Sequence, residues 1–142
     1  MSKFSVIAKA AGTVIATAIP LLTALRENPQ VAEGIDRAVS KLKQASDSNN
    51  PKLRFDAKIA AIEVAADAVE ETFPHAREPE GWRRQAKALR TRGELAWNAN
   101  TGRDRRRAMK SLNNETSELL QGVNHRLAEL QEQAAPAIGV DE

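Results

Sequence analysis

The sequence predicts an all-α fold: a small helical bundle or helical-hairpin array of about five segments. Three observations carry this. Apolar residues recur three and four apart along most of the chain instead of alternating. Strong helix formers (Ala, Leu, Glu, Arg, Lys) are abundant, while aromatics make up 4% with no tyrosine, which disfavours a β-sandwich. Asn-Pro pairs and turn-rich links divide the chain into helix-sized pieces.

In the first segment Ile7, Ala11, Val14, Ala18, Leu21 and Leu25 run in steps of four and three, and Ile15, Ile19 and Leu22 widen that face. Arg26 and Glu27 end the apolar run, and Asn28-Pro29 reads as an N-cap followed by proline at the first helical position. The second segment presents Val31, Ile35, Ala38, Val39 and Leu42, with Glu33 and Arg37 four apart in the favourable order. "ASDSNNPK" at 45–52 is a link, and Asn50-Pro51 repeats the cap signal. Phe55, Ile59, Ile62, Ala66, Val69 and Phe73 hold the rhythm of the third segment until Pro74, which lacks the amide a helix interior needs.

After "PHAREPEG", Pro79 can open a fourth helix with Trp82, Ala86, Leu89, Gly93 and Ala96 on one face and Trp97 at its end. Asn100-Thr101-Gly102 marks a break, and Thr101 with Asp104 resembles a capping box. The last helix should bury Met109, Leu112, Thr116, Leu119, Val123 and Leu130, with Leu127 beside the line. The 142 residues suit one domain, 1–133, with 134–142 a flexible tail. Each amphipathic face needs a partner, and the spacing also permits coiled-coil contacts between subunits.

Residues 5–29 are the least polar stretch. Only 16 residues, Ala10 to Leu25, are free of charge, many of them Ala and Thr, and Pro20 lies among them. A bilayer span needs about 20 apolar residues, so a bundle helix is the expected role. The alternative is a helix that docks on a membrane through Val14, Ile15, Ile19, Leu21, Leu22 and Leu25, flanked by Lys3, Lys9 and Arg26. A cleaved secretion signal fits less well, because its apolar rhythm continues into the later helices.

The net charge of +2 hides an asymmetry. Residues 1–76 sum to zero, 77–110 hold eleven basic and four acidic groups, and 111–142 hold one basic and six acidic. The basic stretch is the candidate binding surface: Arg83, Arg84, Lys87, Arg90 and Arg92 on the fourth helix, Arg103, Arg105, Arg106, Arg107 and Lys110 on the fifth. Trp82 and Trp97 are candidate anchors. Such a cluster suits an acidic protein segment, lipid headgroups or nucleic-acid phosphates. A solvated face neutralised by Glu115, Glu118, Glu129 and Glu132 is the plainer reading. The carboxylates Glu63, Asp67, Glu70 and Glu71 are either solvated or the mates of the basic hairpin.

No cysteine is present, which removes disulfides, thiolate metal sites and a cysteine nucleophile, and suits a reducing compartment. His75 and His125 are 50 residues apart with no recurrent ligand spacing, so no metal is expected. No nucleophile elbow, P-loop or dinucleotide fingerprint occurs, and neither a catalytic site nor a cofactor is expected. The sequence therefore points to a cytoplasmic, non-catalytic adaptor or scaffold that binds another protein through its basic surface and forms a homo-oligomer. Peripheral attachment to the inner face of a membrane and nucleic-acid binding are the alternatives.

Overall fold

The computed structural model describes residues 11–134, and among these the chain forms five α-helices and no strand. They are α1 (Ala11–Ala24), which passes through a 3₁₀ turn (Leu25–Glu27), α2 (Pro29–Ser46), α3 (Pro51–Thr72), α4 (Glu78–Ala99) and α5 (Gly102–Ala134). The chain is an all-α bundle. Ile7, the Lys3 and Lys9 flank and the tail beyond Ala134 lie outside the described residues.

The helix boundaries have local causes. The Asn28 side chain accepts from the Gln30 amide at 3.0 Å, and Asn50 from the amides of Lys52 and Leu53 at 2.9 and 3.3 Å. Proline follows each cap, where its missing amide costs nothing. The α4–α5 turn departs from the expected capping box, because Thr101 contributes only its carbonyl, to the Arg105 amide. The chain turns instead at Gly102, whose φ of 54° lies in the left-handed region that side chains disfavour.

α3 is the central element and packs against α2, α4 and α5, while α1 lies along α2 and α5. α3 buries its expected residues Phe55, Ile59, Ile62, Ala66 and Val69, and also Ala57, Ala61, Val64, Ala65 and Ala68 on its other sides. Alanine makes this encirclement feasible, since small side chains let several neighbours approach one axis at the usual 8–10 Å. Two glycines bring helices closer still. Gly34 on α2 would place a Cβ 3.2 Å from Val64, and at Gly93 on α4 a Cβ would overlap the Phe55 ring.

One cluster of buried residues runs through all five helices. α5 contributes Met109, Leu112, Thr116, Leu120, Val123, Leu127 and Leu130. Leu120 takes the place expected for Leu119, which is only half-buried. A step of four after Thr116, in place of three, keeps the stripe in line with α3 over a helix of this length. In α1 the buried line is Val14, Ile15, Ala18, Leu22 and Leu25.

Candidate functional site

The ten basic residues expected to form one surface divide into two groups. On α4, Arg83 donates to Asp67 and Glu70 of α3 at 2.8 and 2.7 Å, and Arg90 to Glu63 at 2.6 Å. Arg92 holds Glu115 of α5 through both terminal nitrogens, at 2.8 and 2.7 Å. These bonds hold the Glu70 and Glu115 carboxyls below their ordinary range and raise the Arg83 and Arg92 guanidinium groups further. The α3 carboxylates Glu63, Asp67 and Glu70 are thus mates of the basic helix. Glu71 is exposed, with no ion pair among the described residues. Arg84 stays local, 3.8 Å from Glu80 one turn back.

The second group stands at the α4–α5 turn. No residue from Glu94 to Ala108 is buried, although both helices continue through that stretch. The last six residues of α4 therefore carry the hairpin roughly 9 Å past Gly93, the last residue of that helix to be buried. This overhang, the hairpin tip, presents Arg103, Arg106 and Arg107, with Lys110 at its base; all four are exposed and form no ion pair among the described residues. Lys87 is likewise exposed without a pair, but lies away from the tip on α4. Leu95, 62% exposed, is the large apolar side chain the tip offers to solvent.

The tip has its own fastening. Asn100 donates through Nδ2 to the Ala96 carbonyl at 2.9 Å, and Arg105 Nε donates to the Asn100 carbonyl at 3.1 Å. The Arg105 guanidinium carbon lies 4.3 Å from the centre of the Trp97 ring. Arg105 and Trp97 thus secure the tip, and the exposed cations are free of that duty. Trp82, the other candidate anchor, is only 7% exposed and belongs to the core.

The bundle is polarised end to end. The end holding the α2–α3 and α4–α5 turns (residues 40–58 and 88–114) carries twelve basic and four acidic side chains. The remaining described residues carry seven basic and thirteen acidic. Linear sequence blocks understate this, because Lys41, Lys43, Lys52 and Arg54 join the tip only once α2 and α3 fold back. Among the described residues, no group of three His, Cys, Asp or Glu side chains gathers as a metal cluster would.

The apolar face of α1 points inward. Val14, Ile15, Leu22 and Leu25 are buried, and Ile19 and Leu21 half-buried. Among the described residues no helix is long and apolar enough to cross a membrane. Membrane contact through these six side chains would require α1 to leave the bundle.

One polar feature has no counterpart in the sequence reading. Lys58 is 2% exposed on α3 and donates to the Asn113 carbonyl and Ser117 hydroxyl of α5 at 3.1 and 2.8 Å. Among the described residues no carboxylate pairs with it. Burial, aided by the Arg54 charge, lowers its ammonium to about 8. The signal was its setting: a lone lysine between Ala57 and Ile59 in "FDAKIAAI" has no exposed side to occupy once α3 is surrounded. Comparison with protein-family models, curated proteins and solved structures finds no match to this chain.

Proposed function

We propose that the protein is a non-catalytic adaptor whose α4–α5 tip docks an acidic segment of another protein. The observation that carries this reading is the hairpin tip itself: four exposed cations on α5 and the exposed Leu95 on α4, at a turn whose residues 94–108 are never fully buried. Of the apolar residues in that stretch only Ala96 and Trp97 pack against the core, and both are partly buried. Arg103, Arg106, Arg107 and Lys110 would meet carboxylates, and Leu95 would give the contact an apolar anchor. Two features favour a short acidic protein segment over a polyanion. Arg105 covers a face of Trp97 that a nucleic-acid base would stack on. The rest of the bundle carries excess negative charge, which repels an extended anionic surface such as a bilayer or duplex. A cytoplasmic location goes with this reading and is supported by the cysteine-free composition.

The test is fluorescence anisotropy with a labelled Glu/Asp-rich peptide containing leucine, run beside a DNA duplex and anionic vesicles at two salt concentrations. Salt-sensitive peptide binding, lost in the R103E/R106E/R107E variant, is expected. Peptide binding that ignores the charge reversal overturns the reading. Tighter binding to duplex or vesicles transfers the tip to nucleic acid or membrane.

A second reading, self-association, rests on α5. Its exposed stripe is basic at Arg103, Arg107 and Lys110 and acidic at Glu118 and Glu132. Two copies laid antiparallel along this helix would pair opposite charges twice about one axis, as a closed dimer requires. Light scattering that gives the monomer mass at all accessible concentrations and low salt removes it.

A further inference from the structure

The sequence itself carries a segment with the chemistry that suits the hairpin tip. Residues 135–142 read APAIGVDE and follow the described part of α5. Ile138 and Val140 are apolar, Asp141 and Glu142 come directly after them, and no basic residue lies between Arg126 and Glu142. Glu132, exposed in the last turn of α5 with no ion pair among the described residues, adds a carboxylate upstream.

Reach decides which copy's tip this segment can meet. A polypeptide spans at most about 3.6 Å per residue, so Glu142 extends no more than about 29 Å from Ala134. Arg103 lies about 46 Å back along α5, at a rise of about 1.5 Å per residue. Even a fully stretched segment brings only its last residues near Lys110, and Val140, within about 22 Å of Ala134, falls well short of Leu95 at the tip. Within one copy the carboxylates and the apolar pair therefore cannot engage the tip together.

A second copy removes that limit. Arg103, Arg106 and Arg107 stand at the start of α5 and Glu132 at its end, so two copies laid antiparallel along α5 bring each acidic segment beside the other's tip. The contact then forms twice about one axis, which closes the dimer. Once the first contact is made the second is intramolecular, so two weak contacts reinforce each other.

We infer that the hairpin tip binds residues 138–142 of a second copy of this chain. Asp141 and Glu142 pair with Arg103, Arg106 and Arg107, and Ile138 and Val140 lie against Leu95. This rests on the reading of the tip as a site for acidic protein segments, and it names the occupant. Dimerisation then competes with any other acidic partner, and dilution or salt frees the tip.

Exchanging charge between tip and tail tests this in the full chain. Light scattering at low salt should give a dimer for the wild type and the monomer mass for R103E/R106E/R107E and for D141K/E142K. The first variant is acidic at both places and the second basic at both. Mixed one to one they are complementary twice, and the dimer should return. A monomeric wild type, a mixture that stays monomeric, or D141K/E142K that dimerises alone would each overturn the inference. Anisotropy with the leucine-containing acidic peptide separates this from the adaptor reading. D141N/E142Q, with a neutral tail, should bind that peptide several-fold tighter than the wild type at concentrations where the wild type is dimeric. Equal binding by the two removes the tail as occupant and leaves the tip a site for acidic segments. No binding by either removes both.

Discussion

α3 and the hairpin tip are both helical and have opposite fates. α3 is enclosed by three helices, with eleven of its 22 residues buried. The tip, from Glu94 to Ala108, buries none. The difference lies between the apolar positions. α3 fills those places with alanine, which tolerates a neighbour on any side, whereas the tip fills them with arginine, which needs water or an anion. Stability and binding are thereby placed in separate parts of the molecule.

The sharpest way to break this comparison is to truncate one apolar side chain in each region. Ile62→Ala removes a fully buried side chain from α3 and should cost about 3 kcal/mol in chemical denaturation. Leu95→Ala, at the exposed tip, should change stability by less than about 0.5 kcal/mol. Similar losses in both would mean that the tip is covered in solution.

Gly93 marks the border between the two regions, with the Phe55 ring seated against it. Gly93→Ala improves helix propensity by about 1 kcal/mol but pushes the new methyl into a buried ring. The ring wins, because Phe55 is 2% exposed and has no room to yield. A net loss of about 2 kcal/mol is expected, with the midpoint shifted and the tip still helical by NMR.

Lys58 tests the core from the opposite direction, since its removal should stabilise. Folding lowers its ammonium from 10.5 to about 8, a shift that bounds the penalty near 3 kcal/mol at neutral pH. Lys58→Met removes that penalty but leaves the Ser117 hydroxyl short of one partner, for a net gain of about 1–2 kcal/mol. Between pH 8 and 10.5 the unfolded chain keeps the Lys58 proton while the folded chain releases it, so wild-type stability rises with pH across that window. The advantage of K58M should therefore be full below pH 8 and shrink towards pH 10.5. Urea titrations at pH 7 and 10 check it; a pH-independent difference would show that Lys58 is not desolvated.

How far the sequence reached follows from what spacing encodes. The caps at Asn28 and Asn50, the stop at Pro74 and the stripes of α2 and α4 are local, set by residues within one turn. The choice of Leu120 over Leu119 is not local, because both satisfy a three-or-four step from Thr116 and only the position of α3 selects between them. The enclosure of α3 escaped for a related reason: alanine fits an exposed or a buried face equally well, so Ala57, Ala61 and Ala65 gave no direction. The basic stretch was legible in sequence, but its division into ion-paired and unpaired residues was not. Whether Arg83, Arg90 and Arg92 face solvent or the α3 and α5 carboxylates depends on the rotation of α4, which its apolar stripe fixes only once partners are in place. The bond from Asn124 to the Val14 carbonyl depends on the pairing of α1 with α5, 110 residues apart in the chain.

The smallest global effect, and the most local one, belongs to Arg105. Its guanidinium covers Trp97, which is partly buried against the core, and donates to the Asn100 carbonyl. Arg105→Ala should lower overall stability by no more than about 0.5 kcal/mol, the scale of an exposed cation–π contact. Hydrogen exchange should respond far more. In the wild type the amides of residues 96–107 should open without global unfolding, and losing the fastening should speed their exchange several-fold while amides of α3 keep their rate. Acidic-peptide affinity should fall with it, although Arg103, Arg106 and Arg107 are intact, because a loosened tip must be ordered again on binding. Faster exchange with unchanged affinity would mean that the cations act as a diffuse field and that the geometry of the tip plays no part.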